Sequence, residues 1–230
     1  MLHLDRIEIR NGGFRLRADF QITPGARVAV IGPSGAGKST LIGALAGFHP
    51  MTAGHLRWGD SDIGARPPGA RPIAMLFQDG NLFPHLSVAR NVGLGLRPDL
   101  RLSAAQWAQV SGALARVGLQ GMEARLPAAL SGGQQSRAAL ARVLVQDRPL
   151  ILLDEPFAAL GPALRAEMLD LVAELVADKG ATLLMVSHDP GDARRISDQL
   201  VLVEGGQAHA PGSTGALLEN PPAALRAYLG

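Results

Sequence analysis

The sequence predicts an α/β fold in which a largely parallel sheet is covered by helices on both faces and interrupted by a helical insertion. Three observations carry that reading. Short apolar, β-branched runs recur along the 230 residues: "RIEI" at 6–9, "RVAVIG" at 27–32, "PIAMLFQ" at 72–78, "LILLDEP" at 150–156, "TLLMVSHD" at 182–189 and "QLVLVE" at 199–204. Several lack polar alternation, the pattern of strands buried on both faces. Helical spacing falls between some of these runs, whereas residues 79–149 hold no convincing buried strand.

Each element has its own local signal. Loops rich in Pro and Gly, "GARPPGARP" at 64–72 and "GLRPDL" at 95–100, punctuate the approach to the insertion. Within it, Trp107, Val110, Leu114 and Val117 are spaced 3, 4 and 3, and Ser103 with Gln106 makes a capping box. After Pro162, Leu164, Met168, Leu171 and Leu175 share a helix face that Gly180 closes. The chain therefore reads as one domain, 1–230, with 1–78 and 150–230 forming the α/β core and 79–149 a helical subdomain.

Composition excludes several classes. The apolar fraction, 47%, is ample for a core, and no apolar run approaches the roughly 20 residues that span a bilayer. The charged start "MLHLDRIEIR" lacks a signal-peptide core, so the chain is expected to stay where it is made. With no cysteine and six scattered histidines, no zinc site is expected. The isoelectric point near 9.6 looks basic. The net charge is only +2, too small to argue for nucleic acid.

Lysine occurs only at 38 and 179, against 20 arginines, so a lysine kept inside a glycine-rich turn needs a reason. In "GPSGAGKST" the residues Gly32, Gly37, Lys38 and Ser39 fit G-x-x-x-x-G-K-[ST], with a buried-strand run before and a helix-compatible run after. Glycines let successive amides turn toward phosphate oxygens, and the helix beginning near Lys38 adds the positive end of its dipole. Lys38 reaches the β- and γ-phosphates as a compact charge, and the Ser39 hydroxyl can ligate magnesium.

Two further elements narrow this nucleotide reading. "LILLDEP" ends in adjacent carboxylates, Asp154 and Glu155, at a strand exit. One can hold magnesium through a water while its neighbour orients or deprotonates the attacking water. "LSGGQ" at 130–134 opens a helix whose face carries Leu140, Val143 and Leu144; Ser131 caps it, and Gly132 and Gly133 expose amides there as a second anion site. Two anion sites for one triphosphate suggest that each chain lends one to a second copy.

In this order and spacing, "GPSGAGKST", "LSGGQ", "LILLDEP" and "MVSHD" resemble the ATP-binding cassette (ABC) family of transporter ATPases over nearly the whole chain. The resemblance implies a RecA-like P-loop NTPase core with an inserted α-helical subdomain and a β-rich N-terminal subdomain. By position, Gly32, Pro33, Ser34, Gly35, Ala36, Gly37, Lys38, Ser39 and Thr40 match the phosphate loop, and Asp154 the magnesium aspartate. Glu155 matches the catalytic base and His188 the switch histidine near the γ-phosphate. Gln78 matches the glutamine that links core to helical lobe, which puts it in the metal and catalytic sets. Ser131, Gly132, Gly133 and Gln134 match the signature that contacts the ATP of the opposite subunit.

Three positions depart from the family pattern. "AALGP" puts Gly161 where an aspartate usually helps couple the two sites of the dimer, which places turnover or its cooperativity in question. Asn11 stands where an adenine-stacking aromatic is expected, leaving Phe14 as the nearest candidate. Gln135 replaces a common basic residue, and no mechanism is attached to it.

Residues 71–96, "RPIAMLFQDGNLFPHLSVARNVGLGL", resemble importer ATPases and, within them, those of thiamine importers. Phe77, Leu82, Phe83 and Leu86 line either a docking groove or ordinary lobe core. The resemblance implies an ATP- and magnesium-dependent homodimer on the cytoplasmic face of the bacterial inner membrane. Its partners would be an integral permease and, indirectly, a periplasmic solute-binding protein, with no nucleic acid. The cargo it implies is thiamine or thiamine pyrophosphate; an importer of another small solute (oxyanion, iron or polyamine), a soluble cassette ATPase and a pure binding module are the other readings.

Overall fold

The computed structural model describes residues 1–78 and 80–229, apart from the side chain of Asn11. The chain opens with an antiparallel pair, β1 (Leu2–Asn11) and β2 (Phe14–Ile22), followed by β3 (Arg27–Ile31) and α1 (Lys38–Ala46). Strands β4 (Met51–Trp58), β5 (Ser61–Asp62) and β6 (Ile73–Leu76) precede three helices, α2 (Val88–Gly93), α3 (Ala104–Arg116) and α4 (Gly132–Leu144). The rest alternates: β7 (Leu150–Asp154), α5 (Pro162–Lys179), β8 (Thr182–Val186), α6 (Pro190–Ile196) and β9 (Gln199–Glu204). Short β10 (Gln207–Ala208) and β11 (Gly212–Ser213), then α7 (Thr214–Glu219) and α8 (Ala223–Leu229), complete the described chain.

The central order β6-β7-β8-β3-β9 is parallel throughout. Its strands are buried on both faces, which explains their unbroken apolar sequences. In β7, Ile151 and Leu153 enter a core shared with α3, α4 and α5, while Leu150 and Leu152 enter the opposite core beneath α1. A third cluster joins Ala29 and Ile31 of β3 to Leu200 and Leu202 of β9 and Leu225 of α8. Between β6 and β7 the described residues contain helices and no strand.

Beyond β9 the sheet continues through β10 into β2-β1-β4-β5, where β2, β1, β4 and β5 pair antiparallel. Strands β2 and β4 have no counterpart among the buried runs read from the sequence, because one of their faces is wet. In β2, Leu16, Ala18, Phe20 and Ile22 point inward while Arg15, Arg17, Asp19 and Gln21 point out, a period of two that the sequence displays. In β4 only Leu56 is buried, so little apolar signal exists.

Local predictions are met where the physics is local. The capping box of Ser103 and Gln106 opens α3, whose Val110 and Leu114 are buried. Pro162 starts α5, and Gly180 ends it in a left-handed conformation at φ 59°. Gly32 is required by space as well as by dihedral. At φ 150°, a Cβ there would lie 2.0 Å from the carbonyl oxygen of Val203, so only glycine lets the chain pass β9 into the phosphate loop.

Candidate active site

The phosphate loop leaves β3 and enters α1 at Gly37, which caps the helix at φ 102°. A side chain there would strike the Phe14 ring 2.5 Å away. The first amides of α1 face a cleft of about 290 Å³ lined by Phe14, Ser34, Gly35, Gly37, Lys38, Ser39, Thr40 and Glu155. Lys38 is 7% exposed, and its ammonium donates to the carbonyl oxygens of Gly32 (2.7 Å) and Pro33 (3.0 Å). Burial pushes its pKa down, opposed by the charges of Glu155 and Asp154. A desolvated cation whose hydrogen bonds among the described residues go to neutral carbonyls gains strongly from an incoming anion.

Across the cleft, β7 delivers two carboxylates. Ser39 Oγ donates to Asp154 Oδ1 at 3.0 Å. Burial raises the Asp154 pKa; the Ser39 hydrogen bond lowers it, the Glu155 charge raises it and the Lys38 charge lowers it. A hydroxyl and a carboxylate oxygen side by side are the hard donors that magnesium takes, and a carboxylate short of positive charge is stabilised by a cation. The donor set therefore fits the ion expected from the sequence.

Glu155 adopts a left-handed backbone, φ 45°, where a non-glycine residue stores about 1–3 kcal/mol of strain. Its amide donates to the carbonyl of Val186, tying the β7 exit to β8 (3.2 Å). That turn swings the carboxylate toward His188, whose Nδ1 lies 3.3 Å from Oε2.

The second predicted anion site lies elsewhere. Ser131 caps α4, accepting from the Gln134 amide (3.3 Å) while its own amide donates to Gln134 Oε1 (3.0 Å). Gly133 is packed so closely on Leu164 of α5 that a Cβ would come within 2.5 Å of it. Gln78 lines a groove with Gly132, Gln135, Pro156 and Leu160, and this groove shares no lining residue with the phosphate-loop cleft. The structure thus brings Phe14, the phosphate loop, Glu155 and, through Ser39, Asp154 to one cleft, with His188 reached through Glu155. Gln78 and the "SGGQ" turn stand apart within this copy. Gln135 is structural here, its amide nitrogen donating to the carbonyls of Pro127 and Leu130.

With this geometry established, comparison with known proteins is informative. Residues 16–158 match the ABC transporter family. The chain belongs to that family. Over its whole length it is 62% identical to a thiamine import ATP-binding protein of Ruegeria sp. (strain TM1040) and 58% to that of Cereibacter sphaeroides, each covered over 100% of its own length. The thiamine import ATP-binding protein of Yersinia pseudotuberculosis is 49% identical over 97% of this chain and 94% of its own. A solved ATP-binding cassette, a dimer in a post-hydrolysis state bound to ADP and Pi, superposes with a TM-score of 0.80 at 26% identity, over 93% of this chain and 99% of its own. These matches agree with an ABC nucleotide-binding fold of the kind the motifs imply.

In this ABC chain, four residues that motif reading missed hold the site's surroundings. Arg71, 3% exposed, donates to the carbonyls of Ala44 and Leu45 at the end of α1 and to those of Arg66 and Gly64. Arg142 of α4 donates to the carbonyls of Gly80 and Asn81, just beyond Gln78. Arg165 of α5 bridges the Phe157 and Ala158 carbonyls to Asp189. Tyr228 donates to the carbonyl of His188 at 2.6 Å. In a chain with 20 arginines no local pattern marks three of them, and each of the four has at least one partner more than 20 residues away.

Proposed function

We propose that this chain is the ATP-hydrolysing subunit of a bacterial ABC importer that energises thiamine uptake through a membrane permease. The observation that carries the chemistry is the meeting of Ser39 and Asp154, with Lys38 and Glu155 lining the same cleft as Ser39. The cargo is carried by the full-length identity to thiamine import ATP-binding proteins. ATP occupies the phosphate-loop cleft, with Gly32 to Thr40 turning amides to its phosphates and Lys38 transferring its donors from carbonyls to phosphate oxygens.

Ser39 and Asp154 would hold magnesium, and Gln78 is the third residue assigned to it by position in the family pattern. When bound, magnesium would neutralise negative charge on the phosphate oxygens. Glu155 takes the proton of the attacking water, and His188 holds the Glu155 carboxylate in line near the γ-phosphate. Ser131 to Gln134 of a second copy close the far side of the triphosphate, so hydrolysis requires a homodimer. The division into a core, 1–78 and 150–230, and a helical subdomain, 79–149, supplies the hinge for that closure.

No helix among the described residues is long and apolar enough to cross a membrane. In this reading an integral permease carries the solute across the membrane, and the dimer docks peripherally on its cytoplasmic face. A periplasmic binder acts only through that permease.

The test is ATP turnover after reconstitution with the permease, with thiamine and competing solutes offered in turn. Stimulation by thiamine alone is expected. Glu155→Gln should lower turnover at least about 100-fold while ATP binding survives. Stimulation by an oxyanion, iron or polyamine instead would move the cargo assignment, and equal rates would remove Glu155 as the base.

A further inference from the structure

In the mechanism proposed above His188 orients Glu155, and it does so on little support. Its ring is 52% exposed, and the described residues give it two hydrogen-bonding contacts: Glu155 at the ring and Tyr228 at the backbone carbonyl. The flanking residues are fixed by their own network. Ser187 Oγ donates to Asp192 (2.7 Å) and accepts from the Asp189 amide (3.1 Å), while Asp189 caps α6 through the Gly191 amide (2.7 Å). The peptide between His188 and Asp189 is held by this network at its N–H and, at its carbonyl oxygen, from outside the network by the phenol.

We propose that Tyr228 is a positioning residue, a C-terminal latch that holds the His188 peptide so that the imidazole stays aimed at Glu155. The latch is rooted, because α8 buries Leu225 against Ala29 and Ile31 of β3, the strand that feeds the phosphate loop. One contact path therefore runs from that strand through α8 to His188. Burial, with the charges of Glu155 and Asp189, holds the phenol above its ordinary pKa, so the hydroxyl remains a donor at neutral pH. A hydrogen bond to the main chain sets the Cα–Cβ direction of residue 188 without touching ATP. Its loss lets the ring sample orientations away from Glu155, lowering the reactive fraction and leaving nucleotide affinity alone.

This inference rests on the ATPase reading above, and Tyr228→Phe in the reconstituted transporter tests it. Expected are a fall in kcat of about three- to tenfold, the loss of one neutral hydrogen bond, with KM for ATP unchanged within about twofold. The melting temperature should stay within about 2 °C of wild type, whereas Leu225→Ala, which unseats α8, should lower it clearly. A readout independent of turnover is the carbonyl resonance of His188 in protein labelled with 13C-carbonyl histidine, assigned by its loss in His188→Ala. It should shift on Tyr228→Phe. No shift overturns the contact; a shift with unchanged kcat, or with a KM change that accounts for the loss, overturns the positioning role. An active wild type silenced by Glu155→Gln leaves the ATPase reading standing in each of those cases. A wild type without turnover sinks both.

Discussion

Ser39 Oγ and Asp154 Oδ1 are 3.0 Å apart although 115 residues separate them in the chain. The first turn of α1 supplies the hydroxyl and the last residue of β7 the carboxylate, so the pair exists only because β7 and the loop after β3 converge at one end of the parallel sheet. Strand ends on one edge of such a sheet are where an open α/β fold places its ligands.

The raised pKa of Asp154 has a defined consequence for stability without metal. A carboxyl whose folded pKa lies above its unfolded value contributes stability present below the unfolded pKa and lost as pH rises through the folded one. At neutral pH its charge is therefore a net burden in the metal-free protein. Asp154→Asn should raise the metal-free melting temperature by about 1–3 °C and remove the stabilisation that magnesium with ATP confers on the wild type. Thermal denaturation with and without magnesium measures both; a lowered metal-free melting temperature contradicts this.

Phe14 stands at the wall of the phosphate-loop cleft, its ring against Gly37. If an aromatic face serves the adenine here, Phe14→Ala weakens ATP binding by about 1–3 kcal/mol, by analogy with base stacking on aromatic side chains. Equilibrium titration with ATP reads this directly. An unchanged dissociation constant removes Phe14 from the site.

Gly161 caps α5 with no side-chain hydrogen bond, in an extended conformation any residue adopts, and a Cβ there meets open space. Gly161→Asp restores the acidic residue the family usually carries and adds a good N-cap. It should raise stability by a few tenths of a kcal/mol, roughly 1 °C in melting temperature. In the reconstituted transporter it should steepen the ATP dependence of turnover while ATP affinity stays within about twofold. A variant less stable than wild type contradicts the capping gain, and an unchanged Hill slope shows that the glycine is not what sets the coupling here.

What was legible in the sequence follows the range of the interactions involved. The phosphate loop, the cap of α4 by Ser131 and the capping box of α3 are set by residues a few positions apart, and each was readable from a short window. Strand β2 was also readable, since its arginines alternate with apolar residues, but that pattern belongs to an antiparallel strand with one wet face and differs from the buried runs. Strand β4, with Leu56 as its one buried residue, offers no such signal.

By itself the amino-acid order determined that a strand, a glycine turn bearing Lys38 and a helix would follow one another, because backbone sterics and hydrophobic period act over a few residues. Only the tertiary structure decided that Glu155 takes a left-handed turn toward His188, that Arg71 closes the far end of α1, and that Tyr228 reaches the His188 carbonyl from α8. Each of those pairings waits on the closing of a long loop, and the energy that closes it comes from burial across the whole sheet, which no short window contains.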